Sequence, residues 1–288
     1  MRYRLRHSTL YRYAEPVDLA AHLLHLLPRA LPHQHVLAST LSASPVPSRT
    51  VSRTDHFGNA VGWMFLEAPH ERFTVTLHAE IAVRFPALPD AAATPTWEAV
   101  AQAAALGGEA AEFAFASPLA PAEPGAGAYA AASFPPGRPV LAGLLDLTAR
   151  IRRDFAFRPG STTIATPVAR VLAQRSGVCQ DFAHLMIAGL RALGLPARYV
   201  SGYLRTRPPQ GQPARRGADQ SHAWVGAGLG ARDGWVDLDP TNDLVAREEH
   251  VVLGWGRDFG DVSPARGVIL GGGAHDVTAS VDLDPCSE

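Results

Sequence analysis

Three short stretches hold side chains that together can move one proton and make one covalent bond: RSGVCQDFAHLM around Cys179, SHAWV around His222 and GWVDLDPTN around Asp239. A thiolate is a strong nucleophile, an imidazole can take and return its proton, and a carboxylate can hold the imidazole in one tautomer. Cys179 falls in the first turn of an expected helix, where free backbone N–H groups and the macrodipole favour a thiolate. His222 opens a strand on which it shares a face with Trp224, and Asp239 closes the next strand after the short connection GARDG. In an antiparallel pair the start of one strand and the end of the next meet at one edge, so the base and its carboxylate are expected there together.

Each member also has an ordinary structural explanation. A cysteine in a buried helix commonly packs as a small hydrophobe, a histidine beside tryptophan commonly sits half-buried, and an aspartate before Pro-Thr commonly makes an Asx turn. Asp237 shares a strand face with Asp239, and parity alone does not choose between them. Asp181 and His184, three apart near Cys179, could join it around a metal. Support of the helix is the simpler reading, because Cys179 and His184 point in different directions. His22, His25, His33 and His35 lack a Cys or Glu at ligand spacing and are read as structural, so no metal site and no cofactor are expected. GAGLG and GGGAH lack the strand-to-helix context of a nucleotide loop.

The elements that must position these residues follow from periodicity. Residues 1 to about 85 alternate in YRLRHSTLYRY, VLASTLSASP and RFTVTLHAEIAVRF, which predicts a β-rich N-terminal domain with a hairpin turn at Gly58-Asn59. LAAHLLHLLPRAL, interrupted by Pro28, is the one helix-like exception there. Residues 86–140 are rich in Ala, Pro and Gly and are expected to be a helical linker. From residue 141 to 288 a core is expected: a helix through Leu141–Ile151, a second starting at Pro167, and a third with Ser176 as N-cap and Gly194 and Pro196 as its stop. The strands ARYVSGYL, SHAWVGAGL, GWVDLDP, EHVVLGW and DVTASVDL follow. Helices first and strands after predict an α+β fold with an antiparallel sheet.

With 288 residues, 47% hydrophobic and 18% charged, the chain can bury a substantial core. A formal net charge of −1 without a long basic run argues against nucleic-acid or anionic-membrane partners. No segment reads as a signal peptide or membrane span, and the expected location is cytoplasmic. Two cysteines, Cys179 and Cys286, make no disulfide framework; Cys286 is expected to be accessible and dispensable.

GVCQDFAHL, RALGLPARYVSGYL, SHAWV, GWVDLDPTN and GRDFGDVSPARG together resemble the bacterial branch of the transglutaminase-like superfamily, papain-related thiol enzymes with a Cys, His, Asp triad. DHFGNAV and its neighbouring strands resemble the N-terminal region that accompanies such cores. The resemblance implies Cys179 as nucleophile, His222 as base and Asp239 as orienting carboxylate; beside these, Asp181, Trp224, Asp237 and Asn242 are candidate supporting residues. It also decides Asp239 over Asp237. GAGLG after His222 departs from the bulkier or acidic residues usual there, which leaves the shape of the substrate channel open. The calcium-binding acidic loops of animal transglutaminases have no counterpart, so calcium dependence is not carried over.

The expected activity is acyl transfer from a peptide or protein amide through a thioester, resolved by water (peptidase, amidase or deamidase) or by an amine (transglutaminase), with water favoured. The alternatives are a non-catalytic peptide-binding or scaffold module on the same fold and, more remotely, a metal hydrolase. Arg205, Arg207, Arg215 and Arg216, in the Pro- and Gly-rich segment before His222, suggest a groove that favours acidic substrate.

Overall fold

The computed structural model describes residues 1–206 and 220–286, Gln220 for its backbone alone. Strands β1 (Arg2–Leu24), β2 (Gln34–Ser44), β3 (Arg49–Thr54), β4 (Ala60–Leu66) and β5 (His70–Val83) pair in the order β2-β5-β1-β4-β3. The period-two pattern explains them. Tyr3, Leu5, Phe73, Val75, Leu77 and Ile81 alternate inward and are fully buried. The β3–β4 hairpin turns where expected, Gly58 taking the left-handed φ of +79° that a side chain disfavours.

The helix-like segment is corrected. Residues Leu19–Leu24 complete β1, pairing with Gly62–Leu66 of β4. Ala20 and Leu24 point into the core and Leu19 out of it. The long-range ladders with β4 and, later in the chain, residues 265–271 hold it as strand, and that outweighs a local pattern ambiguous between the two periods.

The expected linker is also corrected. It contains α1 (Trp97–Ala105) and α2 (Pro124–Ala131), and Val100, Ala120, Ala126, Ala130 and Phe134 are buried in one cluster with the helices that follow. Small alanines let these helices approach closely, so the segment is part of the core. Next come α3 (Val140–Asp154), β6 (Ala156–Phe157), α4 (Val168–Gln174), β7 (Ser176–Gly177) and α5 (Cys179–Ala192). Ser176 pairs with Ala156 in a two-residue parallel ladder, and Val178 takes the N-cap position of α5. Phe182, Leu185, Met186 and Leu190 of α5 are each at most 1% exposed. Each such side chain contributes about 1.5–3 kcal/mol through burial, so α5 is fixed by its core face.

The helix packs on an antiparallel sheet of β8 (Ala197–Leu204), β9 (Gln220–Gly230), β10 (Gly234–Asp239), β11 (Leu244–Val245) and β12 (His250–Gly256), ordered β11-β10-β9-β8-β12. This is the expected α+β core. After α6 (Phe259–Val262), however, β13 (Ala265–Gly271) and β14 (His275–Pro285) leave it and pair with the two halves of β1. The assignment of residues 141–288 to one core therefore ends near Val262. Strand pairing between residues more than 240 positions apart leaves no mark in local periodicity.

The two sheets are joined by buried contacts. Tyr203, Val251 and Leu253 pack among Tyr3, Leu5, Leu77, Val281 and Leu283. The Gln34 amide, fully buried, donates to the Val252 carbonyl at 2.7 Å and accepts the Val252 N–H at 2.8 Å. Asn59 beside the hairpin glycine donates to the Trp255 carbonyl and accepts the Trp255 N–H. Among the described residues no helix is long and apolar enough to cross a membrane.

Candidate functional site

The local chemistry of GVCQD sets the position of the thiol. Asp181 folds back over the helix start, its Oδ2 accepting the Val178 N–H and the Thr162 hydroxyl, each at 2.7 Å. The carboxyl occupies the space of a side chain at residue 177, where an added Cβ would meet Oδ2 at 2.7 Å, hence Gly177. Burial pushes the Asp181 carboxyl up, against the two hydrogen bonds that favour its charge. Val178 having been satisfied, the N–H of Cys179 is left as one of the helix's free amino-terminal donors. Cys179 is partly exposed and rests against the core cluster.

His222 stands between this thiol and Asp239. Its Nε2 lies 2.8 Å from Asp239 Oδ2, and the Cys179 side chain is near enough to raise the basicity of its ring. The ladder explains the meeting: Leu238 pairs with Val225, so Asp239 falls at the strand edge diagonal to His222. Burial alone would discharge this imidazole. Hydrogen bonds and charge from Asp239 and Cys179 outweigh burial and lift His222 to about 10.

Asp239 is fully buried. Its burial opposes ionisation, but donors from His222, His250 and Asn242 outweigh it and hold the carboxyl far below the usual range. The two oxygens divide the work. Oδ1 accepts the N–H groups of Thr241 and Asn242 at 3.0 and 3.3 Å, while Oδ2 takes His222 and the Asn242 side-chain amide at 2.7 Å. The Asx turn and the imidazole contact thus coexist in one residue.

Asp237, the other carboxylate on this strand, has different partners. Asp237 lies opposite Gly226, accepts the Trp224 indole N–H at 3.1 Å and faces Arg198 at 3.7 Å. Trp224, fully buried, sets its ring beside His222 and edge-on to His250. Trp224 and Asp237 therefore lie behind the histidines, and Asp181 and Asn242 contact the helix start and Asp239 directly.

GAGLG also finds its explanation here. A Cβ at Gly226 would lie 2.6 Å from Arg198 Nε, and one at Gly228 would lie 2.7 Å from Pro196 Cγ. The missing side chains make room for Arg198 and Pro196. His184 accepts the Phe259 N–H at 3.2 Å and packs against Tyr199. Burial lowers it to about 4. Of the four arginines before His222, Arg205 faces Glu249 at 4.0 Å, and Arg207, Arg215 and Arg216 lie outside the described residues. Cys286 is partly exposed, its N–H donating to the Arg2 carbonyl at 2.8 Å.

One member of the cluster escaped sequence reasoning. His250 is buried; its Nδ1 accepts the Arg247 N–H at 3.4 Å, which leaves its proton on Nε2, directed at Asp239 Oδ2 3.5 Å away. The available signal was a histidine opening the strand EHVVLGW, as His222 opens its own. His250→Phe should keep the ring against Trp224 but remove this donor. The expected result is a loss of about 1 kcal/mol of stability, with slower alkylation of Cys179 because Asp239 is held less firmly against His222. His250→Gln, which retains a donor, should lie between; equal rates in all three proteins would remove His250 from the account.

The comparisons agree with this architecture. Residues 3–82 match the bacterial transglutaminase-like N-terminal region, and residues 135–240 match the transglutaminase-like superfamily. An uncharacterized protein of Mycobacterium tuberculosis is 41% identical over 293 aligned positions, covering 99% of this chain and 93% of its own. One of Mycobacterium leprae is 32% identical over 98% of each chain. The crystal structure of a candidate cysteine protease from Cytophaga hutchinsonii superposes on all of this chain and 92% of its own with a TM-score of 0.76, at 22% identity, a likeness of fold. This chain belongs to the transglutaminase-like superfamily and joins its core to the bacterial N-terminal region of that family.

Proposed function

We propose that the protein is a thiol-dependent enzyme acting on peptide or protein amides, with Cys179 as nucleophile, His222 as general base and acid, and Asp239 as orienting carboxylate. The observation that carries this reading is that Cys179, at a helix N-terminus, lies beside His222, whose ring is hydrogen-bonded to buried Asp239. In the first half-reaction the sulfur attacks the amide carbonyl carbon and the C–N bond breaks. The amine leaves with the proton that His222 carries, and a thioester remains on Cys179. The Cys179 N–H is suited to the developing oxyanion. Water then attacks the thioester, His222 takes its proton, and the acid departs as the thiol is restored. The family admits an amine in place of water. Hydrolysis is the preferred reading because nothing in the described residues marks a separate amine channel, and water is the abundant nucleophile.

The test uses dimethylcasein with monodansylcadaverine as a fluorescent amine, alongside ammonia release and peptide-bond cleavage from unlabelled casein. Ammonia release or cleavage that vanishes in Cys179→Ala, without dansyl incorporation, is the expected outcome. Dansyl incorporation dependent on Cys179 would replace hydrolysis with transamidation, and activity retained in Cys179→Ala would overturn the thiol mechanism.

A further inference from the structure

One face of β9 carries Gly226, Trp224 and His222 at period-two spacing, and it leads from a buried guanidinium to the imidazole of the thiol site. Arg198 of β8 and Asp237 of β10 both pair with Gly226, one from each side. A Cβ at Gly226 would meet Arg198 Nε at 2.6 Å and Asp237 Oδ1 at 3.0 Å, so the glycine lets the guanidinium cross the middle strand. The two side chains face each other at 3.7 Å and are 11% and 8% exposed. Burial lowers Arg198 to about 10 while Asp237 pulls the other way, so the arginine keeps its charge at neutral pH.

Asp237 passes this constraint along the strand. Its Oδ2 accepts the Trp224 indole N–H at 3.1 Å. The far end of the indole fills the space left by Gly202, where a Cβ would lie 2.4 Å from the ring. Held at both ends, the fully buried ring has its centre 6.1 Å from that of His222 and lies edge-on to His250 at 5.2 Å. Trp224 is thus the common wall behind the two histidines that meet Asp239.

Aromatic rings cover the guanidinium. Arg198 lies 3.7 Å from the centre of the Trp255 ring and 4.4 Å from that of Trp235, contacts that gain strength where water is excluded. Trp255 also carries Arg29, at 3.6 Å. Arg29 belongs to the N-terminal region and donates to the Phe57 carbonyl at 2.6 Å and to Asn59 Oδ1 at 2.9 Å, in the β3–β4 hairpin. A chain of contacts therefore runs from that hairpin to His222.

We propose that Arg198 is a positioning residue of the thiol site: seated across Gly226, it holds Asp237 against the Trp224 indole and, through that ring, fixes His222 beside Cys179. The role exists only if His222 governs the sulfur of Cys179, as proposed above. Without the guanidinium, Asp237 is a buried carboxylate that has lost its facing cation, which is costly enough to displace it from the indole. The ring then loses the anchor at one end, and the histidines lose their wall.

The experiment is a brief iodoacetamide pulse at pH 7 on the full chain carrying Cys286→Ser, well below its melting temperature, with the rate at Cys179 read by mass spectrometry. Arg198→Gln should slow that rate about fivefold or more while the far-ultraviolet circular dichroism stays unchanged. Adding Asp237→Asn should restore most of the rate, because the amide oxygen still accepts the indole N–H and needs no cation. A loss of packing alone is not repaired in this way. Arg198→Lys keeps a cation beside Asp237 but loses the flat contact with Trp255, and should lie between wild type and Arg198→Gln. If Arg198→Gln does not fold, the double variant decides: folded with a rate near wild type, it supports the role; folded with a rate as slow as that of His222→Ala, it overturns it. An unchanged rate in Arg198→Gln, or an equally slow one in the double variant, overturns the role of Arg198, and a slow His222→Ala then leaves the thiol reading standing. An unchanged rate in His222→Ala overturns both.

Discussion

Replacing His222 with alanine is expected to slow alkylation of Cys179 at pH 7 by at least tenfold while leaving the chain folded. The reason lies in where the proton resides. Despite burial, Asp239 and Cys179 together keep His222 charged up to about 10, so a thiolate at Cys179 has an imidazolium beside it throughout the physiological range. Without the ring, the helix terminus alone remains to favour the anion, a contribution of about 0.3–1 kcal/mol when exposed. Iodoacetamide labelling read by mass spectrometry, in a Cys286→Ser background to remove the second thiol, gives the rate directly. Amide turnover should fall further than alkylation does, because His222 must also protonate the leaving amine, and general acid–base catalysis is typically worth 10²–10⁴-fold. An unchanged alkylation rate in His222→Ala would mean that the imidazole does not govern the sulfur.

The second large effect concerns Asp239→Asn. This change keeps the side chain's shape but removes the charge that stabilises the imidazolium and the acceptor that fixes its tautomer. Turnover is expected to fall on the order of 10²-fold or more, and alkylation to fall most at low pH, because His222 then gives up its proton at lower pH. Stability changes with a defined sign. Asp239, depressed in the fold, contributes stability that is present above its ordinary value near 3.8 and is lost as pH falls through the native one. His222, raised in the fold, contributes stability that is complete below 6.5 and is lost as pH rises through about 10. The pair therefore stabilises the fold most between about pH 4 and pH 6.5. Urea unfolding of wild type and Asp239→Asn should differ most in that window, and a difference that grows instead toward pH 9 would refute the assignment.

Much of this site was legible because its determinants are local. The helix start at Cys179 could be read from its neighbours, whereas the turn that holds it, built on Gly177 and Asp181, replaced the expected Ser176 cap. The meeting of His222 and Asp239 followed from two consecutive strands and a short connection. What lay beyond the sequence were relations between distant segments. The preference for Asp239 over Asp237 depends on Arg198 and Trp224, which claim Asp237, and periodicity carries no trace of that contact. His250 belongs to a later strand whose place in the sheet had to be known first. The same limit explains the fold-level corrections: residues 19–24 became strand because β4 and β13 pair with them, and the alanine-rich segment became core because α5 offered a surface that small side chains fit.

The central claim, that His222 beside Cys179 governs the reactivity of its sulfur, is tested most directly by the rate of a brief iodoacetamide pulse at pH 7 on Cys286→Ser protein with and without His222→Ala. The account predicts that the protein with His222 reacts at least tenfold faster, because an imidazole charged up to about 10 lies beside the sulfur. Equal rates in the two proteins, or a thiol that never reacts in the folded chain, would contradict it.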